Sequence, residues 1–494
     1  MKKFLIFSVL VIILLFSDFG MEPIEPPPPE PITLQQVMQK ALERRQNIEK
    51  PSRERALQLA QYRGERTINR DTFTPPSHQP EVISYADAIS DAELFFDALR
   101  QLYAAYFYFG GDGVFLPALN RLTANLALQE YWYISDFTEL VYSSLNYIIN
   151  DLHFAYEDKF FGRRYDFFIT EHFDDGFNKS SHGYYNRRTR RYVGDLVIDG
   201  ESLGDDLSNF FRLSICDDGE FYYSIVIPRP RGVDRRPPLV IMYENSGRDI
   251  VSITPIFFER FEFENVSLQH VNSFPVITIR EMGFSIRGTV SAYYADKFMS
   301  LAEKLRNEPV IIVDIRSNSG GCLFLPMRWL QSLTGQVVTS SFLRLDNVES
   351  AWDLSGYNTD INTFFVPERI GEHHILSFNR PREIVSNKQT LILLTDRFTA
   401  SAAEGFTDLM FGLENSLVIG QNTGGAFLAD LSYTELALPN SGVTFSFGGG
   451  LFIHPPDHAS EGMGIAPDVW VNGDALEAAL VILEMGLADY ILAE

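Results

Sequence analysis

Short runs of consecutive apolar residues, each followed by a polar turn, predict buried strands in the second half of the chain. Residues 309–314 and 391–394 form two such runs, and each leads into a segment with apolar residues at helical spacing. Residues 274–279, 290–305 and 309–314 predict strand, helix and strand, joined by a right-handed crossover. Runs that are apolar at every position are typical of parallel strands covered on both faces. This half of the chain is therefore predicted to be an α/β domain.

The first half of the chain shows two other patterns. From Tyr85 to His153 apolar residues recur at helical spacing, and Ser90 and Glu93 are placed as a capping box. From about residue 165 to residue 263 the period shortens towards two, which is typical of strands. A helical region and a β-rich region are thus predicted to precede the α/β domain.

The N-terminal residues are typical of an export signal. Two lysines precede an apolar run, residues 4–16, which has the length of a secretory signal rather than of a membrane span. No small-residue cleavage site follows, so a second hypothesis stays open, in which an uncleaved segment tethers the protein to a membrane. We expect an exported protein, located in the periplasm, the cell envelope or the extracellular space.

These patterns divide the chain into five segments. Residues 22–31 are rich in proline and predict a stiff spacer, and the helices predicted after them lack the wide apolar face of a core helix. The segments are a signal peptide or membrane anchor (1–20), a Pro-rich linker with peripheral helices (21–82), a helical domain (83–160), a β-rich middle domain (161–265) and the α/β core (266–494). Within the core, residues 440–451 contain three consecutive glycines and predict a flexible loop.

Composition narrows the classes of function. The 494 residues, 45% of them hydrophobic and 13% aromatic, are enough for several domains with large cores. The formal net charge of −24 argues against nucleic acids and anionic membrane surfaces as partners. Cys216 and Cys322 lie in different segments and predict no disulfide framework. No histidine or cysteine has the spacing of metal ligands, so we predict no metal and no other cofactor.

A serine stands where a predicted strand turns into a helix. Ser401 follows the strand at 391–394, so its hydroxyl would be exposed at the carboxyl edge of the sheet, near the free N–H groups of the first helical turn. This geometry suits an acyl-transfer nucleophile, although a serine at this position would also serve as a helix cap. The pair Gly320 and Gly321 follows the other buried strand, where backbone N–H groups would donate to an oxyanion.

Four ordered segments of the chain resemble the motifs of the carboxyl-terminal processing (tail-specific) and tricorn serine peptidases. They are DIRSNSGG at residues 314–321, TASAAE at 399–404, IGQNTG at 419–424 and EGMGIAPD at 461–468. The resemblance covers about residues 274–471. It implies a crotonase-like αβ catalytic core, polypeptide substrates and a serine nucleophile. By this resemblance Ser401 is the nucleophile, and the N–H groups of Ala402 and of Gly320 or Gly321 form the oxyanion hole.

The general base is assigned by comparing two branches of that family. Processing-type members use a lysine soon after the nucleophile, and residues 423–427 contain none, so a Ser-Lys dyad is not expected. Tricorn-like members use an upstream histidine, and Asn150–His153 resembles their Asp-x-His segment. Glu461, before the Gly-Ile-x-Pro-Asp motif, matches the supporting glutamate. The resemblance therefore implies a triad of Ser401, His153 and Glu461, with Leu152 standing where tricorn has a serine.

Each member of this triad also has a structural interpretation. His153 closes a helical pattern, where an imidazolium would favour the helix dipole, and Glu461 lies in a Gly-rich segment, where it would be a solvated charge. Residues 193–201 resemble the strand and turn of the PDZ domains that many family members insert. We predict an exported serine peptidase with a Ser-His-Glu mechanism. A catalytically inactive peptide- or ligand-binding protein on the same fold is the alternative, and an esterase would share the triad. The sequence predicts no oligomeric state.

Overall fold

A computed structural model describes residues 25–487, except residues 29, 65–66, 171–175, 217, 233–236, 246, 257–263, 284–289, 348–363, 372, 379–381 and 431–432. The predicted export signal lies outside the described residues, so the structure leaves that prediction open. Within the described ranges, no helix combines the length and the apolar character needed to cross a membrane.

The described residues form nine α-helices and 26 strands, numbered in chain order. The helices are α1 (Leu34–Gln46), α2 (Arg53–Leu59), α3 (Tyr85–Leu102), α4 (Asp112–Leu126), α5 (Ile134–Leu145), α6 (Val290–Lys304), α7 (Phe324–Thr334), α8 (Ala402–Met410) and α9 (Ala475–Ile482). The strands of the first half are β1 (Val82–Ser84), β2 (Tyr131–Tyr133), β3 (Ala155–Tyr156), β4 (Lys159–Phe160), β5 (Tyr165–Thr170), β6 (Phe177–Lys179), β7 (Tyr184–Asn186), β8 (Val193–Ile198), β9 (Glu201–Ser202), β10 (Phe211–Ile215), β11 (Phe221–Pro230), β12 (Leu239–Tyr243) and β13 (Arg248–Val251). The remaining strands are β14 (Ile253–Pro255), β15 (Val266–Val271), β16 (Phe274–Ile279), β17 (Val310–Asp314), β18 (Leu343–Asn347), β19 (Phe365–Ile370), β20 (His373–Phe378), β21 (Thr390–Thr395), β22 (Ser416–Gly420), β23 (Tyr433–Ala437), β24 (Thr444–Phe447), β25 (Gly450–Ile453) and β26 (Val469–Trp470).

The centre of the fold is a mixed sheet that confirms the α/β prediction. Its main path runs β14-β5-β11-β10-β26-β22-β21-β17-β16-β15, and β16, β17, β21, β22 and β26 are parallel neighbours. The predicted unit of strand, helix and strand is β16, α6 and β17. Because parallel strands end at one edge, the loops after β17 and β21 lie side by side.

Both faces of this parallel sheet are buried, which explains its uninterrupted apolar strands. Leu391 and Leu393 of β21 belong to the same core as α6, α7 and α8. Ile392 and Leu394 belong to the core on the other face, which α1 and α9 cover. A strand buried on both faces needs apolar residues at consecutive rather than alternate positions.

Helix α1 belongs to the core, which corrects the prediction that this segment is peripheral. Val37, Met38 and Ala41 are buried against the sheet. Arg45 is fully buried, and its guanidinium donates to Asp468 Oδ2 over 2.8 Å and to the Ser416 carbonyl over 2.7 Å. A narrow apolar stripe is enough to pack α1 against the sheet, because Arg45 beside it has buried hydrogen-bond acceptors.

The helical region and the end of the chain share one hydrophobic core. That core combines α3, α4 and α5 with apolar residues of β23, β24 and β25. The predicted flexible loop at 440–451 is therefore wrong, since half of it lies in β24 and β25. Strand β3 pairs with β24 through Tyr156 and Phe445, so the chain just after α5 is held against residues near the C-terminus.

Two further details differ from the sequence predictions. Helix α3 begins at Tyr85 with Ser84 as its cap, so Ser90 lies inside the helix and the predicted capping box is wrong.

The β-rich region contributes both a separate sheet, of order β13-β12-β8-β9, and strands of the central sheet. Strand β10 pairs with β26 at Ser214 and Trp470, so the two regions are joined by backbone hydrogen bonds. The PDZ-like and crotonase-like assignments stay predictions.

Candidate active site

Ser401 lies at the turn between β21 and α8, with a backbone conformation that L-residues rarely adopt. Its φ is +56° and its ψ −122°. Its N–H donates to the Ala426 carbonyl and to Glu404 Oε2, each over 3.1 Å. A strained serine held by such contacts is typical of a functional turn, where the fold fixes the direction of the hydroxyl.

The side chain of Asp396 joins the loop after β17 to the loop after β21. Its buried carboxylate accepts the N–H groups of Ser317, Phe398 and Thr399, with distances of 2.9–3.0 Å. Two strand ends that are far apart in sequence are thereby fixed at one place. The sequence analysis did not single out Asp396, because its contact with the Ser317 N–H joins residues that only the sheet brings together.

His153 lies within hydrogen-bonding distance of Ser401. The distance from Nε2 to Oγ is 3.1 Å, and the imidazole is buried. Helix α5 ends at Leu145, so His153 does not close a helix as the pattern suggested, and instead lies just before β3. Its Nδ1 makes no hydrogen bond within the described part of the chain.

Asp151 holds the backbone of the histidine. Asp151 Oδ1 accepts the His153 N–H over 2.9 Å, and Oδ2 accepts the Tyr103 hydroxyl over 2.8 Å. Burial lowers the pKa of His153 below 6.5, while the negative charges of Asp151 and Asp430 act in the opposite direction. The imidazole is therefore neutral near pH 7, the form that accepts a proton from a serine hydroxyl.

Glu461 approaches the chain beside His153 rather than the imidazole itself. Its Oε1 accepts the Leu152 N–H over 2.7 Å, and its Oε2 accepts the N–H groups of Phe427 and Leu428 over 3.1 and 2.9 Å. Burial and the charge of Asp151 raise the pKa of Glu461 well above its usual value. Glu461 thus fixes the backbone next to the histidine and ties it to the segment after the nucleophile loop.

The predicted oxyanion donors are not equivalent. The Gly320 N–H donates to Asn318 Oδ1 over 2.9 Å, so this donor is already used. Among the described residues, no hydrogen bond uses the N–H of Gly321 or of Ala402. Of the two glycines, Gly321 is therefore the better candidate for an oxyanion donor, with Ala402 as the second donor.

Glu404 is a buried carboxylate beside Ser401 that the sequence analysis did not single out. This carboxylate is fully buried and accepts the hydroxyl of Thr423 and the N–H groups of Gly425 and Ala426 as well as that of Ser401. Burial raises its pKa, and these donors act against that rise. The signal in the sequence was its position three residues after Ser401, which a capping box explained equally well.

The fit between the two loops predicts a strong effect of Gly320→Ala. A Cβ at Gly320 would lie 2.7 Å from Ser401 Cβ and 2.9 Å from Ala402 N, so the new methyl group must displace Ser401 or the backbone of Ala402. We expect kcat to fall by roughly 10²–10³, the effect of losing one oxyanion contact. Gly335→Ala is the control, because Gly335 also has positive φ, +74°, but open space around it. Steady-state peptidase assays of both variants check this; equal activity would contradict the proposed contact.

The site has the groups that an acyl-transfer enzyme needs. They are a serine at a strained turn, a histidine nitrogen beside its hydroxyl, and two backbone N–H groups that have no partner among the described residues. Residues 275–471, which include the serine and both donors, match the family model of peptidase family S41. This part of the chain resembles an S41 peptidase domain. The match confirms the resemblance to carboxyl-terminal processing and tricorn peptidases, and the chain is a serine-type peptidase.

Solved structures of three proteins are similar to this chain at low identity. Mature CPAF complexed with lactacystin is 14% identical, with a TM-score of 0.42 over 83% of this chain and 99% of that one. The photosystem II D1 C-terminal processing protease is 11% identical, with a TM-score of 0.35 over 78% and 92%. The tricorn protease is 14% identical, with a TM-score of 0.34 over 81% of this chain and 37% of that one. No curated protein matches the chain.

Proposed function

We propose that this S41 peptidase hydrolyses polypeptides with Ser401 as nucleophile and His153 as general base. The observation that carries the proposal is the 3.1 Å distance from His153 Nε2 to Ser401 Oγ, together with the neutral state expected of the buried imidazole. A serine hydroxyl attacks an amide only when a base accepts its proton, and neutral imidazole does so near pH 7. In the processing-type members this base is a lysine, for which residues 423–427 offer no candidate.

The proposed reaction follows from these contacts. Ser401 Oγ attacks the scissile carbonyl carbon while its proton passes to His153 Nε2. The oxyanion accepts hydrogen bonds from Gly321 and Ala402, and the imidazolium then gives its proton to the leaving amine. Water, activated by the same imidazole, hydrolyses the acyl-enzyme and restores the serine. Glu461 and Asp151 act on the backbone that carries the histidine, so we propose positioning roles for both.

The location and the substrate class of the enzyme are proposed from the sequence analysis. We propose an exported protein, because the first twenty residues are typical of an export signal. Unfolded polypeptides or exposed chain termini are the proposed substrates, in keeping with the tail-specific branch of the family.

One experiment tests the proposal directly. The full chain is incubated with a fluorophosphonate, which labels an activated serine, and with casein as an unfolded substrate. We expect the label on Ser401 by mass spectrometry and cleavage of casein. Labelling without cleavage of casein would favour an esterase or a very selective peptidase. Neither labelling nor cleavage would favour the catalytically inactive binding protein.

The pH dependence of kcat/KM gives a second test. The base must be neutral, so kcat/KM falls as the pH falls through the pKa of His153 in the free enzyme. Since burial lowers that pKa, we expect the acidic limb to have its midpoint below 6.5. The charge of Asp151 opposes this shift, so Asp151→Asn should move the midpoint lower still. Tyr103→Phe removes a hydrogen bond that lowers the pKa of Asp151, so it should move the midpoint in the same direction by a smaller amount. A wild-type midpoint above 6.5 would contradict the assignment.

A further inference from the structure

A cavity of about 650 Å³ opens at the carboxyl end of β26, and its lining shares no residue with the catalytic constellation. Strands β10 and β26 pair at Ser214 and Trp470 and then diverge. The cavity occupies the space between them, bounded by β11 and by the first turn of α9. Its volume lies within the range of sites that bind a small molecule or a peptide side chain.

The cavity is acidic. Its lining includes the carboxylates of Asp474 and Glu477 and, among the described residues, no lysine, arginine or histidine. Asp474 accepts a hydrogen bond from Arg316, whereas Glu477 is exposed at the rim and its carboxylate has no partner among the described residues. Asp218 adds a third carboxylate next to the lining residue Cys216, with 2.7 Å between Oδ1 and Sγ. Because Glu477 has no cationic partner among the described residues, its charge at the rim attracts a cationic group.

The inner wall of the cavity suits an aliphatic stem rather than a hydrated ion. Aromatic and aliphatic lining comes from Phe177, Tyr222, Ile225 and Val481. Lysine and arginine side chains bury their methylene groups along such surfaces while the charged end stays near water and carboxylates. Aromatic faces also attract a cation that lies over them.

One ion pair connects the cavity to the oxyanion loop. Arg316 Nη1 donates to Asp474 Oδ1 over 2.9 Å, and the same guanidinium donates from Nη2 to Asp314 Oδ2 over 2.8 Å. Arg316 begins the loop that ends at Gly321. A cation that binds next to Asp474 competes with Arg316 for this carboxylate, so occupancy of the cavity would change the contacts at the base of the loop.

We propose that this cavity is an accessory subsite that binds a lysine or arginine side chain of a polypeptide held by the enzyme. The inference rests on the proposed function only in taking the ligand to be a polypeptide. The cationic character follows from the carboxylates at the rim, and the side-chain form of the ligand follows from the apolar wall. Cleavage of basic substrates would then show a lower KM than cleavage of acidic ones of the same length.

Binding to the Ser401→Ala chain tests this without turnover. The probes are nonapeptides, acetylated and amidated, whose two central residues are Lys-Lys, norleucine-norleucine or Glu-Glu. We expect calorimetry to detect binding of the lysine peptide alone, weakened at least tenfold by adding Glu477→Gln. Glu303→Gln is the matched control, because Glu303 is exposed on α6, a helix that covers the opposite face of the sheet. A second variant, Ala478→Trp, fills the cavity and should also abolish binding.

Three results would overturn the subsite. The first is equal binding of the three peptides, and the second is equal affinity of the lysine peptide for the Glu477→Gln and Glu303→Gln variants. The third is binding of a norleucine peptide only when its α-amine is free, which would assign the cavity to a chain terminus. Casein cleavage by the chain that retains Ser401 is measured separately. Cleavage without lysine-dependent binding removes only the subsite, and binding without cleavage removes only the proposed function.

Discussion

Replacing His153 with glutamine is expected to reduce kcat by at least about 10⁴-fold, the usual effect of removing the base of a serine triad. Glutamine has a similar volume and keeps a polar group near Ser401 Oγ, but it accepts no proton at neutral pH. The buried site offers no substitute, since Glu404 and Glu461 are each occupied by several backbone N–H groups. The loss should therefore appear in kcat rather than in KM.

Two further variants distinguish catalysis from folding. Residues that act as a unit are not additive, so His153→Gln combined with Ser401→Ala should be no slower than Ser401→Ala alone. His182→Gln is the control, because His182 is an exposed histidine paired with Glu244 and should leave kcat unchanged. Retention of more than a tenth of the activity in His153→Gln would show that another group takes the proton.

Replacing Arg45 with methionine is expected to lower the free energy of unfolding by roughly 3 kcal/mol, as when one partner of a buried ion pair is removed. The Arg45 side chain is fully buried, and Asp468, which is 2% exposed, would lose its 2.8 Å partner. The Val418 N–H and the more distant Arg44 still contact Asp468, so the loss should lie at the lower end of the usual range. Urea unfolding followed by tryptophan fluorescence measures it.

The control for this prediction is an exposed ion pair on the next helix. Arg53 and Glu368 are 54% and 46% exposed, so Arg53→Met should leave the free energy of unfolding nearly unchanged. The double variant Arg45→Met with Asp468→Leu should recover most of the loss, because no charge is then buried without a partner. Equal stability of Arg45→Met and wild type would show that α1 contributes little to the core.

Features that depend on neighbours in sequence were predictable here. The apolar runs gave β17 and β21, because strands buried on both faces need no alternation, and the residues after them gave the loops that carry Ser401 and Gly321. Family resemblance selected His153 and Glu461. The close approach of His153 to Ser401 rests on contacts 248 positions apart, which no local pattern encodes.

The features that were missed depend on partners brought together only by the tertiary structure. Asp396 and Glu404 are ordinary acidic residues in sequence, and their roles depend in part on backbone N–H groups that lie elsewhere along the chain, such as those of Ser317 and Ala426. Helix α1 looked too polar for a core because the acceptors of Arg45 lie more than 370 positions away. Gly450 looked flexible, yet a Cβ there would lie 2.5 Å from Asp346 Oδ1 and 2.6 Å from Asp430 Oδ2.

The distance in sequence between Arg45 and Asp468 has a consequence for biosynthesis. Helix α1 is synthesised before the acceptors of Arg45, which lie 371 and 423 positions further along the chain. The same holds for the segment that carries His153, because Glu461, which accepts the Leu152 N–H, is made 309 positions later. A nascent chain that has not reached Asp468 therefore lacks both sets of contacts, and we expect it to have no peptidase activity.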